Sequence, residues 1–225
     1  MRLLLLPGLN GSNRLFAPLL ACLPDSLPVE CLELPECGPQ DYRSLADSLY
    51  PRLGSAPFVL LGESFSGPLA RMLAGRRPIG LRGVVFAATF ASKPNPLLSL
   101  LRLLPVLPPS LLAQRNLIRQ FCAGTDAPEA LVALIADEIR RMPAALARAR
   151  LTVLADLRNT NEPLPSPCLN LVPSNDRLVT SRARIMAADG CGTIKTKEID
   201  GPHFLLQSRA QPCATAIMGF LNELS

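Results

Sequence analysis

Two side chains in this sequence could form a nucleophile and its base. They are Ser64, in Gly62-Glu63-Ser64-Phe65-Ser66-Gly67, and His203, in Asp200-Gly201-Pro202-His203-Phe204. A serine hydroxyl attacks a carbonyl carbon poorly until a base takes its proton, and neutral imidazole suits that task near neutral pH. His203 is the one histidine of the chain, so imidazole activation of Ser64 has a single source. The small residues around Ser64 fit a sharp strand-to-helix turn, where bulky side chains would collide across the bend. The strict pattern is Gly-x-Ser-x-Gly; here Ser66 holds the second glycine position and Gly67 comes one residue later.

A carboxylate should complete the set by orienting the imidazole and stabilising its cation. Asp176, in Leu171-Val172-Pro173-Ser174-Asn175-Asp176-Arg177-Leu178-Val179, sits in a turn after an apolar run. A helix N-cap or an Asx turn would be the purely structural use of that residue. Asp156 is the alternative acid. Asp176 is preferred because it gives the chain order Ser64, Asp176, His203, with each residue just after a strand, at the sheet edge where sites of open α/β sheets gather.

The elements that must carry these residues follow from the hydrophobic pattern. Apolar runs at 2–6, 58–61, 83–90 and 167–173 predict strands, 29–34 and 193–199 read as two more, and helical spacing at 13–22, 40–53, 69–75, 180–188 and 204–224 predicts helices between them. The runs at 83–90 and 167–173 are continuous rather than alternating, as expected for parallel strands covered on both faces. The predicted architecture is α/β: a three-layer α/β/α sandwich with a mostly parallel sheet, formed by residues 1–225 as a single domain. Residues 92–160 interrupt the alternation without a convincing strand. Their first part is rich in Leu and Pro, and Pro128 to Leu157 reads as a long helical pattern with Arg140, Arg141, Arg148, Arg150 and Arg158 at polar positions. Such an excursion reads as a helical cap over a pocket, with a pair of amphipathic helices completing the outer layer as the plainer alternative.

Composition narrows the remaining classes. The chain has 225 residues, 48% of them hydrophobic and 18% charged, which excludes a disordered polymer. A net charge of +5 permits an acidic partner, but the arginines are scattered, without the aromatic interleaving or dense basic runs of nucleic-acid binders. The seven cysteines are odd in number and include no Cys-x-x-Cys, which argues for reduced thiols and against a disulfide framework or zinc. With one histidine, no metal site is expected, and the proposed chemistry needs no cofactor. Leu3 to Leu6 begin like a secretion signal, but Pro7, Gly8, Asn10, Gly11 and Arg14 break the apolar core of about 7–15 residues that such a signal needs. The Leu-rich stretch 97–112 contains Arg102, Pro105, Pro108 and Pro109 and does not read as a membrane span. A cytoplasmic protein is expected.

Taken together, the sequence resembles the α/β-hydrolase superfamily over most of its length. Leu6-Pro7-Gly8-Leu9-Asn10-Gly11-Ser12 looks like that family's first oxyanion loop and Gly62 to Gly67 like its nucleophile elbow. Asp176 with Arg177-Leu178-Val179 looks like its acid turn, and Gly201-Pro202-His203-Phe204 like its histidine loop. The resemblance implies an oxyanion hole made by the backbone N–H groups of Leu9 and Phe65. Members commonly have His-Gly where this chain has Pro7-Gly8, and the chain begins near the family's third strand, without the first edge strands. The implied function is hydrolysis of a small-molecule carboxylic ester with an apolar acyl or alcohol group, through an acyl-enzyme. Two alternatives stand beside it: a thioesterase whose Arg140 and Arg141 attract an acidic carrier, and a non-catalytic binding protein using the same cleft.

Overall fold

The structure, a computed structural model, describes residues 1–96, 109–158 and 163–224. Six strands form one sheet: β1 (Arg2–Leu6), β2 (Val29–Cys31), β3 (Phe58–Glu63), β4 (Leu81–Ala87), β5 (Cys168–Pro173) and β6 (Ile194–Ile199). Their spatial order is β2-β1-β3-β4-β5-β6, and every pairing is parallel. The chain leaves β1 toward β2 and returns past it to β3, so the strand order reverses between β1 and β3. A crevice at the carboxyl ends of strands is expected at such a reversal. The register pairs Leu6 with Gly62, which brings the segments after β1 and β3 side by side.

Among the described residues ten α-helical segments flank the strands: α1 (Ala17–Leu20), α2 (Tyr42–Leu49), α3 (Ser66–Gly75), α4 (Pro109–Leu112), α5 (Arg115–Leu117), α6 (Glu129–Arg141), α7 (Ala144–Asp156), α8 (Ser181–Ile185), α9 (Leu205–Ser208) and α10 (Ala210–Glu223). Alternate residues of the central strands feed two cores. Leu4, Leu6, Leu60, Val84 and Phe86 pack against α2 and α3, whereas Leu3, Leu5, Val59, Leu61 and Val85 pack against α1, α9 and α10. Both faces are dry, which explains the continuous apolar runs. The outer strand β6 is exposed until Ile199 and carries Lys195 and Lys197, charges that discourage edge-to-edge association.

Two helices are broken where the pattern reads as continuous. The run from Pro128 to Leu157 divides into α6 and α7 at Met142-Pro143, because the residue before a proline avoids the helical region; Met142 has φ −70° and ψ 121°. The C-terminal helix restarts after Arg209 (φ −131°, ψ 46°). Pro212 has no N–H to donate, and the restart at Ala210 places it in the first turn, where none is required.

Between β4 and β5 the described helices α4 to α7 include a small core of their own, built from Ala113, Ile118, Ala123, Leu131, Val132, Ile135 and Ala136 with Leu15. Part of the Leu- and Pro-rich stretch, residues 97–108, lies outside the described residues. Arg150 corrects the polar face expected here: it is buried, at 0% exposure, whereas Arg140, Arg141, Arg148 and Arg158 are exposed. A second correction concerns the thiols. Cys168 and Cys191 form a disulfide with Cα atoms 6.2 Å apart, because pairing of β5 with β6 brings the starts of both strands together, while Cys22, Cys31, Cys37, Cys122 and Cys213 are free. Among the described residues no helix is long and apolar enough to cross a membrane.

Candidate active site

Ser64 follows β3 directly and has φ +47°, a left-handed conformation that non-glycine residues adopt rarely and at a cost. The turn is held from several sides. The Ser64 N–H donates to Ala87 O at 3.0 Å, the Gly67 N–H donates to Ser64 O at 3.1 Å, and the Thr89 hydroxyl donates to that same carbonyl. The Tyr42 hydroxyl of α2 donates to Phe65 O at 2.9 Å, with the two rings in contact. Gly62 is required by close approach, since a Cβ there would stand 2.5 Å from Ser66 O and 2.7 Å from Ala70 Cβ as α3 crosses β3. The second tight position falls at Gly67, where a Cβ would run into Thr89. Ser66 is free to be a serine because its hydroxyl donates to Pro7 O, tying the turn to the segment after β1.

His203 and Asp176 meet Ser64 at the same sheet edge, following β6 and β5. Ser64 Oγ lies 2.8 Å from His203 Nε2, and His203 Nδ1 lies 2.8 Å from Asp176 Oδ2. The Asp176 side chain is 0% exposed and that of His203 is 7% exposed. The other carboxylate oxygen, Asp176 Oδ1, accepts the N–H groups of Leu178 (2.8 Å) and Val179 (2.9 Å). An ionised carboxylate can only accept, so Nδ1 carries the imidazole proton and Nε2 accepts from the serine.

The electrostatics agree with that assignment. Burial pushes the Asp176 carboxyl up, but the charge and hydrogen bond of His203 and the two N–H donors outweigh it, and its pKa lies below the ordinary range. Burial likewise pulls His203 down, but the charge and hydrogen bond of Asp176, with the charge of Glu63, leave its pKa above that of a free imidazole.

The segment after β1 passes beside the serine. A Cβ on Gly8 would stand 3.8 Å from both Ser64 Cβ and Glu63 Oε2. Among the described residues neither the Leu9 N–H nor the Phe65 N–H makes a hydrogen bond; Leu9 is half-buried and Phe65 is buried. Asp156, the alternative acid, is exposed at the end of α7, where it lines a cavity of about 490 Å³ with Lys93, Leu157 and Arg158. The imidazole is engaged by Asp176 instead.

Several residues of the site carry no local signal. Glu63 is buried beside the serine and accepts from Gln207 Nε2 of α9 at 2.8 Å. Burial raises its pKa, opposed by the Gln207 hydrogen bond, the His203 charge and the Gly8 N–H. Its place inside the elbow motif could have drawn attention to it. Thr89, Tyr42 and Gln207 could not have been found that way, because their partners lie on other elements. Residues 120–124, ahead of α6, rest on the acid and histidine loops: Arg177 donates to Gln120 O at 3.2 Å and the Phe204 N–H donates to Cys122 O at 3.0 Å. Among the described residues no group of His, Cys, Asp and Glu side chains could hold a metal ion.

A parallel sheet with a strained serine turn after one strand and an acid and a histidine after two others defines the hydrolase class of α/β fold. The chain belongs to the alpha/beta hydrolase family, whose profile matches residues 3–216. Among curated proteins, none matches the sequence significantly. Solved structures share the fold at low identity. The enol-lactonase from Burkholderia xenovorans LB400 is 19% identical with a TM-score of 0.82, the match covering 98% of this chain and 90% of that one. A thermophilic esterase from Thermogutta terrifontis, with malate bound, is 20% identical with a TM-score of 0.83, covering 100% and 90%. The RedJ thioesterase of the prodiginine pathway in Streptomyces coelicolor is 21% identical with a TM-score of 0.70, covering 98% and 89%.

Proposed function

We propose that the protein is a serine hydrolase of carboxylic esters carrying an apolar acyl or alcohol group. The reading rests above all on the unbroken chain from Ser64 Oγ to His203 Nε2 and from His203 Nδ1 to Asp176, each step at 2.8 Å, on a strained turn next to two backbone N–H groups that no hydrogen bond engages among the described residues. Ser64 Oγ attacks the acyl carbon as its proton passes to His203 Nε2. The carbonyl oxygen becomes an oxyanion facing the N–H groups of Leu9 and Phe65, donors that are each worth about 3–4 kcal/mol in such sites. Collapse of the tetrahedral intermediate breaks the ester bond, and the imidazolium proton leaves with the alcohol. Water then gives a proton to Nε2 as it attacks the acyl-enzyme, and collapse returns that proton to Ser64 Oγ and frees the acid. Asp176 stays ionised throughout and stabilises the imidazolium.

Residues 92–160 serve in this reading as a helical cap on a single domain. Its described part supports an apolar substrate, because Leu111, Leu112, Leu117 and Phe121 are all exposed large hydrophobic side chains. Labelling with an active-site-directed fluorophosphonate tests the chemistry. Wild type should be modified at Ser64, and S64A and H203A should not; an unlabelled wild type would make this a binding protein instead. A panel of matched oxygen esters and acyl thioesters tests the substrate. A clear thioester preference, lost on reversing the charges of Arg140 and Arg141, would replace the ester reading with the thioesterase one.

A further inference from the structure

The helices between β4 and β5 reach the loop of residues 8–14 with two buried ionic side chains, and the esterase mechanism uses neither. Arg150, from α7, is 0% exposed. Its Nη1 donates to Leu9 O at 2.7 Å, its Nη2 to Pro35 O at 2.9 Å and its Nε to Gln40 Oε1 at 2.9 Å. Gln40 in turn donates to Pro35 O and Gly38 O, so the guanidinium fork joins the loop after β1 to the loop after β2. Among the described residues no carboxylate forms an ion pair with it, and burial pulls its pKa down to about 10, with the charge of Glu36 opposing. Gly11, at φ +80°, lies against the guanidinium, and a Cβ there would stand 3.1 Å from its central carbon.

Glu138, from α6, is 4% exposed. It accepts from Asn10 Nδ2 at 3.0 Å and from Arg14 Nη1 at 2.6 Å, and the Ser12 hydroxyl donates to it as well. Leu9 and Asn10 are consecutive, so two neighbouring helices grip adjacent residues of one loop. A buried guanidinium without a partner carboxylate is costly compared with an apolar side chain of similar size. Its three acceptors are what make it tolerable, and they fix the loop that carries the Leu9 N–H.

We propose that Arg150 and Glu138 are positioning residues that hold the Leu9 N–H in place for the oxyanion, which makes α6 and α7 a clasp on the catalytic loop. This rests on the serine-hydrolase reading above. A misplacement of about 1 Å in a catalytic group can cost about 100-fold in rate. Binding of the ester ground state makes little use of that donor, so the effect should fall on kcat rather than KM.

The test is steady-state hydrolysis of a short-chain p-nitrophenyl ester by R150M, R150K and E138Q, with R148M as an exposed control on the same helix. R150M should lose about 100-fold in kcat, with KM within about twofold of wild type. R150K keeps the charge but not the planar fork, and should lose less. E138Q should lose about tenfold, since its amide cannot accept from three donors at once. An alkylboronic acid, which forms a tetrahedral anion on the serine, should bind more weakly in proportion to the loss of kcat, while binding of the product acid stays unchanged. A folded R150M or R150K with wild-type kcat, or a change confined to KM, would overturn the proposal. If neither Arg150 variant folds, E138Q decides, and unchanged kcat and boronate binding there would overturn it equally. Wild type that fails to react with a fluorophosphonate would instead remove the serine-hydrolase reading, so the two failures are distinguishable.

Discussion

Replacing Asp176 by Asn isolates what the carboxylate does, because the amide is nearly the same size and the surrounding hydrogen bonds dictate which way it points. Oδ1 accepts two N–H groups, from Leu178 at 2.8 Å and Val179 at 2.9 Å, so the amide oxygen of D176N must remain there. Flipping the amide would set its NH₂ against both donors and lose two hydrogen bonds, each worth about 1 kcal/mol. The NH₂ group therefore faces His203 Nδ1, which must now accept. The imidazole proton moves to Nε2, the atom that has to take the proton of Ser64. The expected loss is about 10⁴-fold in kcat, the size of effect a wrong histidine tautomer produces. At about 1.36 kcal/mol per tenfold this is about 5.5 kcal/mol of transition-state stabilisation. Rates on a p-nitrophenyl ester should show the loss, and fluorophosphonate labelling should slow with it, while thermal unfolding changes little. D176N within about tenfold of wild type would refute this reasoning, and loss of activity in D156N with retention in D176N would reverse the assignment of the acid.

Three further outcomes are expected. In wild type, kcat/KM should rise with pH through a histidine pKa above the ordinary 6.5, because the base must be neutral and its cation is favoured by Asp176 and Glu63. E63Q removes one of those negative charges, so the acid limb of its pH–rate profile should move to lower pH; an unmoved limb would mean that Glu63 is electrostatically silent. G67A drives a Cβ into Thr89 and should destabilise the fold by about 1–3 kcal/mol, read as a Tm lowered by about 2–4 °C per kcal/mol in calorimetry. Extensive dialysis against EDTA should leave ester hydrolysis unchanged, and restoration of a lost rate by added zinc or magnesium would count against an all-side-chain mechanism.

The parts legible in the sequence are those with local causes. Continuous apolar runs locate the central strands because a parallel sheet buries both faces there, and Gly62 marks the turn because α3 and β3 approach too closely there for a Cβ. The break at Met142-Pro143 was equally local, since proline restricts the residue before it, and helical periodicity across the break masks it. The place of the tight second glycine, at Gly67 rather than at Ser66, depends on Thr89, which arrives from β4 and has no signature near the motif.

By itself, then, the sequence determined where the strands lie to within a few residues, β4 for instance ending at Ala87 rather than at Phe90, and in what order Ser64, Asp176 and His203 follow one another. Only the tertiary structure decided what surrounds them. Arg150 looks like one of several arginines on a polar helix face, and it is buried because Leu9 O, Pro35 O and Gln40 Oε1, all more than a hundred residues away in the chain, converge on it. Glu63 and Gln207 are likewise joined across 144 residues. Periodicity records which side of an element is apolar. The partner that makes a buried charge tolerable is set by how distant segments pack, and no local pattern carries that information.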